Sequence, residues 1–136
     1  MTSGHLTEED VTRAASVLVE AFRATDTRAY FGCFAEDATF VFHTEDRRLD
    51  SRGAYEQLWA QWLDGGWRVI GCTSSNSRVQ LLGDVAIFTH DVRTTTSTGG
   101  DPETTHERET IVFHRSGDAL RAVHEHLSPV PDDGRE

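Results

Sequence analysis

The sequence predicts an α+β domain: three N-terminal helices packed on a strongly curved, mostly antiparallel sheet. Three observations carry this. Apolar residues recur at three- and four-residue spacing only before position 66, strand-favouring segments follow one another without interruption after it, and the breaks between those segments are short and rich in Gly, Asp and Pro. Helices first and strands later is a segregated order, unlike the βαβ alternation of a parallel sheet. A curved sheet covered by helices on one side leaves a hollow.

The first helix is predicted to open at Thr7, whose hydroxyl can accept from free backbone amides, and Glu8, Glu9 and Asp10 suit the positive end of a helix dipole. Val11, Ala14, Ala15, Leu18, Val19 and Phe22 then form one apolar stripe down to about Arg23. Asp26 caps a second, short helix in which Tyr30, Phe31 and Phe34 crowd together, ended by Glu36-Asp37-Ala38. Thr39 to His43 reads as a short strand, and TEDRRLDSRG after it as a loop. Ser51 caps a third helix from Gly53 to Leu63, carrying Tyr55, Leu58, Trp59 and Trp62 and stopped by Gly65-Gly66. Four strands follow, at Trp67 to about Leu82, Val85 to Thr96, Thr104 to His114 and Ala119 to Ser128, with reversals at Gly83-Asp84, Gly99 to Pro102 and Ser116 to Asp118.

The 136 residues therefore form a single domain with its core at about 7–128, and the acidic tail 129–136 is expected to fray. Thirteen basic against 23 acidic residues give a net charge of −10, which repels phosphate backbones and argues against a nucleic-acid partner. Every one of those basic residues is arginine, which removes Schiff-base chemistry and a P-loop lysine. The start MTSGHLTEED has no basic opening and no apolar run, so neither a signal peptide nor a membrane span is expected, and the cytoplasm is the default location. Cys33 and Cys72 are too few for a disulfide framework or a zinc knuckle and read as small apolar residues.

The segments LVEAFRATDTRAYFGCFAEDATFVF, GAYEQLW and ETIVFHRSGDALRAVHEHLS, spanning about Val11 to Ser128, resemble the nuclear transport factor two superfamily. The likeness is to its SnoaL-like branch and to the association domain of calcium/calmodulin-dependent kinase two. No single motif in them is specific to one activity; the resemblance lies in their order. It implies a conical barrel, dimeric through the outer face of the sheet, with a pocket between sheet and helices. Members include ketosteroid isomerases, polyketide cyclases, dehydratases and epoxide hydrolases beside non-catalytic assembly and ligand-binding domains, so the fold alone does not settle function. The branch often has tryptophan near the start of the last strand, where this chain has Asp118-Ala119-Leu120.

The residues that could carry chemistry depend on strand parity. A two-residue turn at Gly117-Asp118 pairs Ser116 with Ala119; extended, that register sets Phe113 opposite Ala122, Ile111 opposite His124 and Glu109 opposite His126. A similar count across the other hairpin places Asp91 near Glu109. Asp91, Glu109, His124 and His126 are then the catalytic candidates, a carboxylate base with an imidazole donor beside an apolar wall, as proton transfer at a carbon acid requires. The ligand-binding candidates are Tyr30, Phe34, Phe42, Trp59, Trp62, Ile111 and Phe113, a wall suited to a flat hydrophobic small molecule, although aromatic burial alone explains the tryptophans. A one-residue bulge in the last strand would exchange the two histidines for Val123, Glu125 and Leu127, and under that parity Arg108 and Glu125 become the inward pair. His-x-His with nearby acids could present metal ligands, but no third ligand is set by spacing, so no metal site is assigned. His43, His90, His106 and His114 read as solvent-facing or edge residues without partners.

The expected activity is a cofactor-independent isomerisation, cyclisation or dehydration by acid-base catalysis on a hydrophobic, polyketide-like ligand. The alternative is a non-catalytic ligand-binding or assembly protein of a biosynthetic pathway.

Overall fold

A computed structural model describes residues 5–131. Helix α1 (Glu8–Arg23) begins with a capping box: Thr7 Oγ1 accepts from Asp10 N at 3.1 Å and Asp10 Oδ2 accepts from Thr7 N at 3.1 Å. Val11, Ala15, Leu18 and Ala21 form its buried stripe. Thr25, at φ 51°, turns the chain into α2 (Thr27–Phe31), and its hydroxyl accepts from Val69 N at 2.9 Å, tying this corner to the sheet. Asp26 caps α2 through Ala29 N.

Strand β1 (Phe34–Phe42) starts five residues earlier than expected. Residues 34 to 38 do not prolong the short helix because Phe34 already pairs with Ala122, and the Cys33 carbonyl accepts from Ala122 N at 2.8 Å. The segment after β1 is not wholly loop: Leu49 folds back to exchange both backbone hydrogen bonds with Phe40, each 2.9 Å. Helix α3 (Arg52–Asp64) is capped by Ser51, as the sequence predicts. Strands β2 (Arg68–Leu82), β3 (Val85–Ser97), β4 (Glu103–Ser116) and β5 (Ala119–Pro129) match their predicted positions to within about two residues. Of the expected tail, Pro129 belongs to β5, Val130 N donates to the His106 carbonyl at 3.1 Å, and positions 132–136 lie outside the described residues.

The sheet order is β1-β5-β4-β3-β2, with β1 parallel to β5 and every other pair antiparallel. The sheet does not close, so β1 and β2 remain edges and the shape is an open cone. Bulges in β2, β1 and β5 supply curvature, since an extra residue bends its strand and increases the local twist. Helices cover the concave face, and between them and the sheet lies one aromatic cluster around Tyr30, Phe31, Phe34, Phe40, Tyr55 and Trp59. No helix among the described residues is long and apolar enough to cross a membrane.

Candidate functional site

The site begins with one backbone irregularity. The turn at Gly117-Asp118 forms as expected, with Gly117 at φ +63° in the first central position and Ser116 paired with Ala119. Phe113 pairs with Ala122, again as expected. The next pair is Val112 with His124, so Val123 is the extra residue of a bulge and every side chain beyond it changes face. Ile111 now faces Glu125 and Glu109 faces Leu127, while His126 pairs with Thr110.

This corrects the expected convergence of Asp91, Glu109, His124 and His126. Glu109 is buried on the concave face; His124 and His126 lie on the convex face, where the His124 ring bonds Thr39 Oγ1 at 2.8 Å and His126 is exposed. Asp91 is corrected for a second reason. The β3–β4 pairing is one residue from the count across the longer loop, so Asp91 pairs with Arg108 and His90 pairs with Glu109. Alternation along β3 then buries Ala86, Phe88, His90, Val92 and Thr94 and turns Asp91 outward. The alternative parity is not realised as a pair either: Glu125 is inward, but Arg108 is exposed, because the bulge shifts β5 and not β4.

His90, expected at an edge without a partner, is 2% exposed and makes two hydrogen bonds. Its Nδ1 lies 2.5 Å from Ser74 Oγ and its Nε2 lies 2.6 Å from Glu109 Oε1. Burial lowers its pKa to about 4, so the ring is neutral at pH 7. A neutral imidazole facing a carboxylate on one side and a hydroxyl on the other donates from Nε2–H and accepts at Nδ1. A sequence signal for this existed: Asp91 and Arg93, two charges of one parity, mark that face as solvent-facing and His90 as inward.

Glu125 is the residue that strict alternation hides. It is 3% exposed, and its Oε1 has no hydrogen-bond partner. Burial first, and then the neighbouring Glu109 charge, push its carboxyl well above the usual carboxylate range, so Glu125 keeps its proton to higher pH than an exposed carboxyl does. Glu109 is raised as well, by burial, but the proton on Glu125 works in the opposite direction and leaves Glu109 as the member of the pair that ionises first. Tyr30 OH and Tyr55 OH are 2.9 Å apart beside this pair, and burial pushes both phenols well above the usual tyrosine range.

A cavity of about 190 Å³ opens onto these groups, between α1, α2 and α3 on one side and the concave sheet face on the other. Tyr30, Phe42 and Trp62 of the expected ligand wall line it, joined by Phe22, Tyr55 and Trp67. The remaining expected wall residues do not reach it: Phe34, Trp59 and Ile111 are fully buried in the core, and Phe113 faces a separate surface groove near Gly117. Three carboxyls line the cavity, Glu107, Glu109 and Glu125, and no arginine or histidine does among the described residues. Glu107 accepts from the His43 ring at 2.6 Å and from Thr105 Oγ1 at 3.3 Å. Cys72 also lines the cavity, but burial raises its thiol to about 11 and removes it as a nucleophile at neutral pH. The described residues contain no group of three or more side chains suited to holding a metal ion.

The sign of the Glu125 shift makes a prediction. A carboxyl whose folded pKa lies above its unfolded value contributes stability below the unfolded pKa and loses it as pH rises through the folded pKa. Glu125→Gln, which cannot ionise, is therefore expected to gain thermal stability relative to the parent chain as pH rises from 5 to 8. Thermal midpoints of both proteins across that range check this; a constant difference would mean that Glu125 is ionised throughout.

A family model described as a SnoaL-like domain matches residues 11–133. No curated protein matches the chain. Among solved structures, a candidate dehydratase of the nuclear transport factor 2-like family from Streptomyces avermitilis is similar at TM-score 0.79 and 21% identity, over 91% of this chain and 96% of that one. A nuclear transport factor 2-like superfamily protein from Salmonella enterica is similar at TM-score 0.80 and 14% identity, over 93% and 92%. A candidate calcium/calmodulin-dependent kinase II association domain from Exiguobacterium sibiricum is similar at TM-score 0.77 and 13% identity, over 96% and 100%. At these identities the likeness is one of fold.

Proposed function

The chain belongs to the SnoaL-like domain family, and from that premise we propose that it is a cofactor-independent small-molecule enzyme of the isomerase or dehydratase type, with Glu109 as general base and Glu125 as general acid. The observation that carries this is the side-by-side pair of buried carboxyls on the cavity wall, one ionisable and one held protonated, with Glu125 Oε1 free of any protein partner. Two like groups whose surroundings drive their ionisation apart are suited to taking a proton from one atom of a ligand and giving one to another. His90 donates to Glu109 and fixes its orientation, and Ser74 fixes the tautomer of His90. His90 is thus a positioning residue.

The reaction this arrangement supports runs in two steps. Glu109 removes a proton from a carbon next to an electron-withdrawing group, while the Glu125 carboxyl donates a hydrogen bond to the oxygen on which charge develops. The proton then returns at another carbon, which is isomerisation, or Glu125 passes its own proton to a departing hydroxyl, which is dehydration. The ligand is compact: 190 Å³ lies near the ~150 Å³ cavity that holds a benzene and below the ~300–1,000 Å³ usual for ligand pockets. That volume suits a one-ring ligand better than a polycyclic polyketide.

The test is conversion of 3-cyclohexen-1-one to its conjugated isomer, followed by ultraviolet absorbance, with α-deuteration in D2O as a second readout. Rate acceleration over free carboxylate buffer is the expected result, and no acceleration with no α-deuteration overturns the reading.

We also propose a homodimer through the convex face, where Val41, Ile87 and Val112 interleave with polar side chains and remain partly exposed. Sedimentation at micromolar concentration should give about twice the 15.2 kDa chain mass, and a monomer there overturns the assembly.

A further inference from the structure

Three carboxyls line the cavity and, among the described residues, no arginine or histidine does, and that imbalance selects its ligand. Glu107 is paired with His43 and Glu109 with His90, but Glu125 Oε1 meets no protein donor although the residue is 97% buried. A buried polar atom left unpaired costs free energy that a bound ligand recovers by supplying a donor. Aromatic side chains, among them Phe22, Tyr30, Trp62 and Trp67, share the wall with aliphatic residues and threonines. Ring faces attract cations, and they do so more strongly where water is excluded. A carboxylate or phosphate ligand would instead meet three carboxyls with no compensating cation on the wall.

We infer that this cavity also takes, in competition with the substrate, a compact, one-ring molecule carrying a basic nitrogen, bound as its ammonium form with the N–H aimed at Glu125 Oε1 and the positive charge against the aromatic side chains. The inference rests on the reading that this cavity is the functional site; it does not require turnover.

Binding of a cation rearranges protons in a countable way. The groups facing Glu125 are Glu109 on β4, His90 on β3, Tyr30 on α2 and Tyr55 on α3, and His90 is neutral while both phenols keep their protons. Burial and mutual repulsion oppose ionising both members of the Glu109–Glu125 pair, and Glu125 is the one that keeps its proton longer. An ammonium group arriving at Oε1 favours the ionised form of Glu125, so that proton leaves to solvent while the ligand keeps its own. A neutral alcohol of the same shape releases none.

The experiment is isothermal titration of the full chain with benzylammonium, benzyl alcohol and benzoate, at neutral pH in two buffers of different ionisation enthalpy. Benzylammonium is expected to bind about tenfold or more tightly than benzyl alcohol, with release of roughly one proton per ligand, and benzoate to show no binding. Glu125→Gln is expected to abolish the proton release and to weaken benzylammonium about tenfold while leaving benzyl alcohol nearly unchanged. The comparison of the three ligands on the parent chain decides the question even if that variant does not fold. Equal binding of alcohol and ammonium overturns the cation preference and leaves the cavity standing as a ligand site, and preferred ammonium binding without proton release upholds the preference but overturns the protonated state of Glu125. Failure of all three to bind folded protein overturns the cavity itself as the site.

Discussion

Glu109→Gln is expected to lower the rate of enone isomerisation by about 10²–10⁴-fold, the usual contribution of a positioned general base. Gln is nearly isosteric, and its amide oxygen can still accept from His90 Nε2–H, so the 2.6 Å contact and the Ser74 contact behind it are kept. What is lost is the basic lone pair alone. The neighbouring carboxyl does not substitute readily, because burial, the larger cause of the raised Glu125 pKa, remains when the Glu109 charge is removed. The rate of Glu109→Gln, read together with its thermal midpoint, separates the causes: a folded variant with the parental rate removes Glu109 from the role of base. Glu125→Gln should also slow the reaction, and the double variant should lose less than the product of the two single losses, since a base and an acid that act on one ligand work as a unit.

Trp59→Ala is expected to destabilise the fold by about 3–5 kcal/mol. Trp59 has no exposed surface; it stacks on Tyr30 at 5.0 Å between ring centroids and meets Trp67 edge-on at 5.1 Å and Phe31 at 5.4 Å. Its Nε1–H donates to Thr27 Oγ1 at 2.8 Å, which fixes the start of α2 relative to α3. Truncation forfeits the buried area, opens a void among six neighbouring rings and removes the donor to Thr27. Against a total stability of roughly 5–15 kcal/mol the loss is large. Urea unfolding followed by circular dichroism reads it directly. Trp59→Phe, which keeps a ring but not the indole N–H, should cost less than Trp59→Ala; a loss under about 1 kcal/mol for the alanine variant would mean that the core closes over the void.

These two residues also show how differently the sequence speaks about core and site. Trp59 sits at helical spacing from Tyr55 and Trp62, and the sequence offers it both to the ligand wall and to the core, of which the structure takes the core. Trp62, identical in type and three positions on, lines the cavity instead. Nothing in a helical pattern separates a ring that packs from a ring that faces a hollow 190 Å³ in volume, because both lie on the same apolar stripe.

Local chemistry determined the scaffold. Thr7, Asp26 and Ser51 cap the three helices because a short oxygen-bearing side chain at those points satisfies free amides whatever lies beyond. Gly117 and Asp118 set the last hairpin in the same self-contained way, and with it the Phe113–Ala122 pair. The site was decided elsewhere. Glu125 points inward only because Val123 bulges, and His90 meets Glu109 only because the β3–β4 pairing is offset by one from a count across a loop that does not define its own length. Side chains on a strand alternate with period two, so a shift of one residue exchanges the two faces entirely, and the segment Ala122 to Leu127 offers plausible residues on both. Which parity prevails depends on closing a curved sheet over the helices, with Phe40 against Glu125 and Phe42 against Leu127 across β1. That is a property of strands far apart in the chain, and only the tertiary structure holds it.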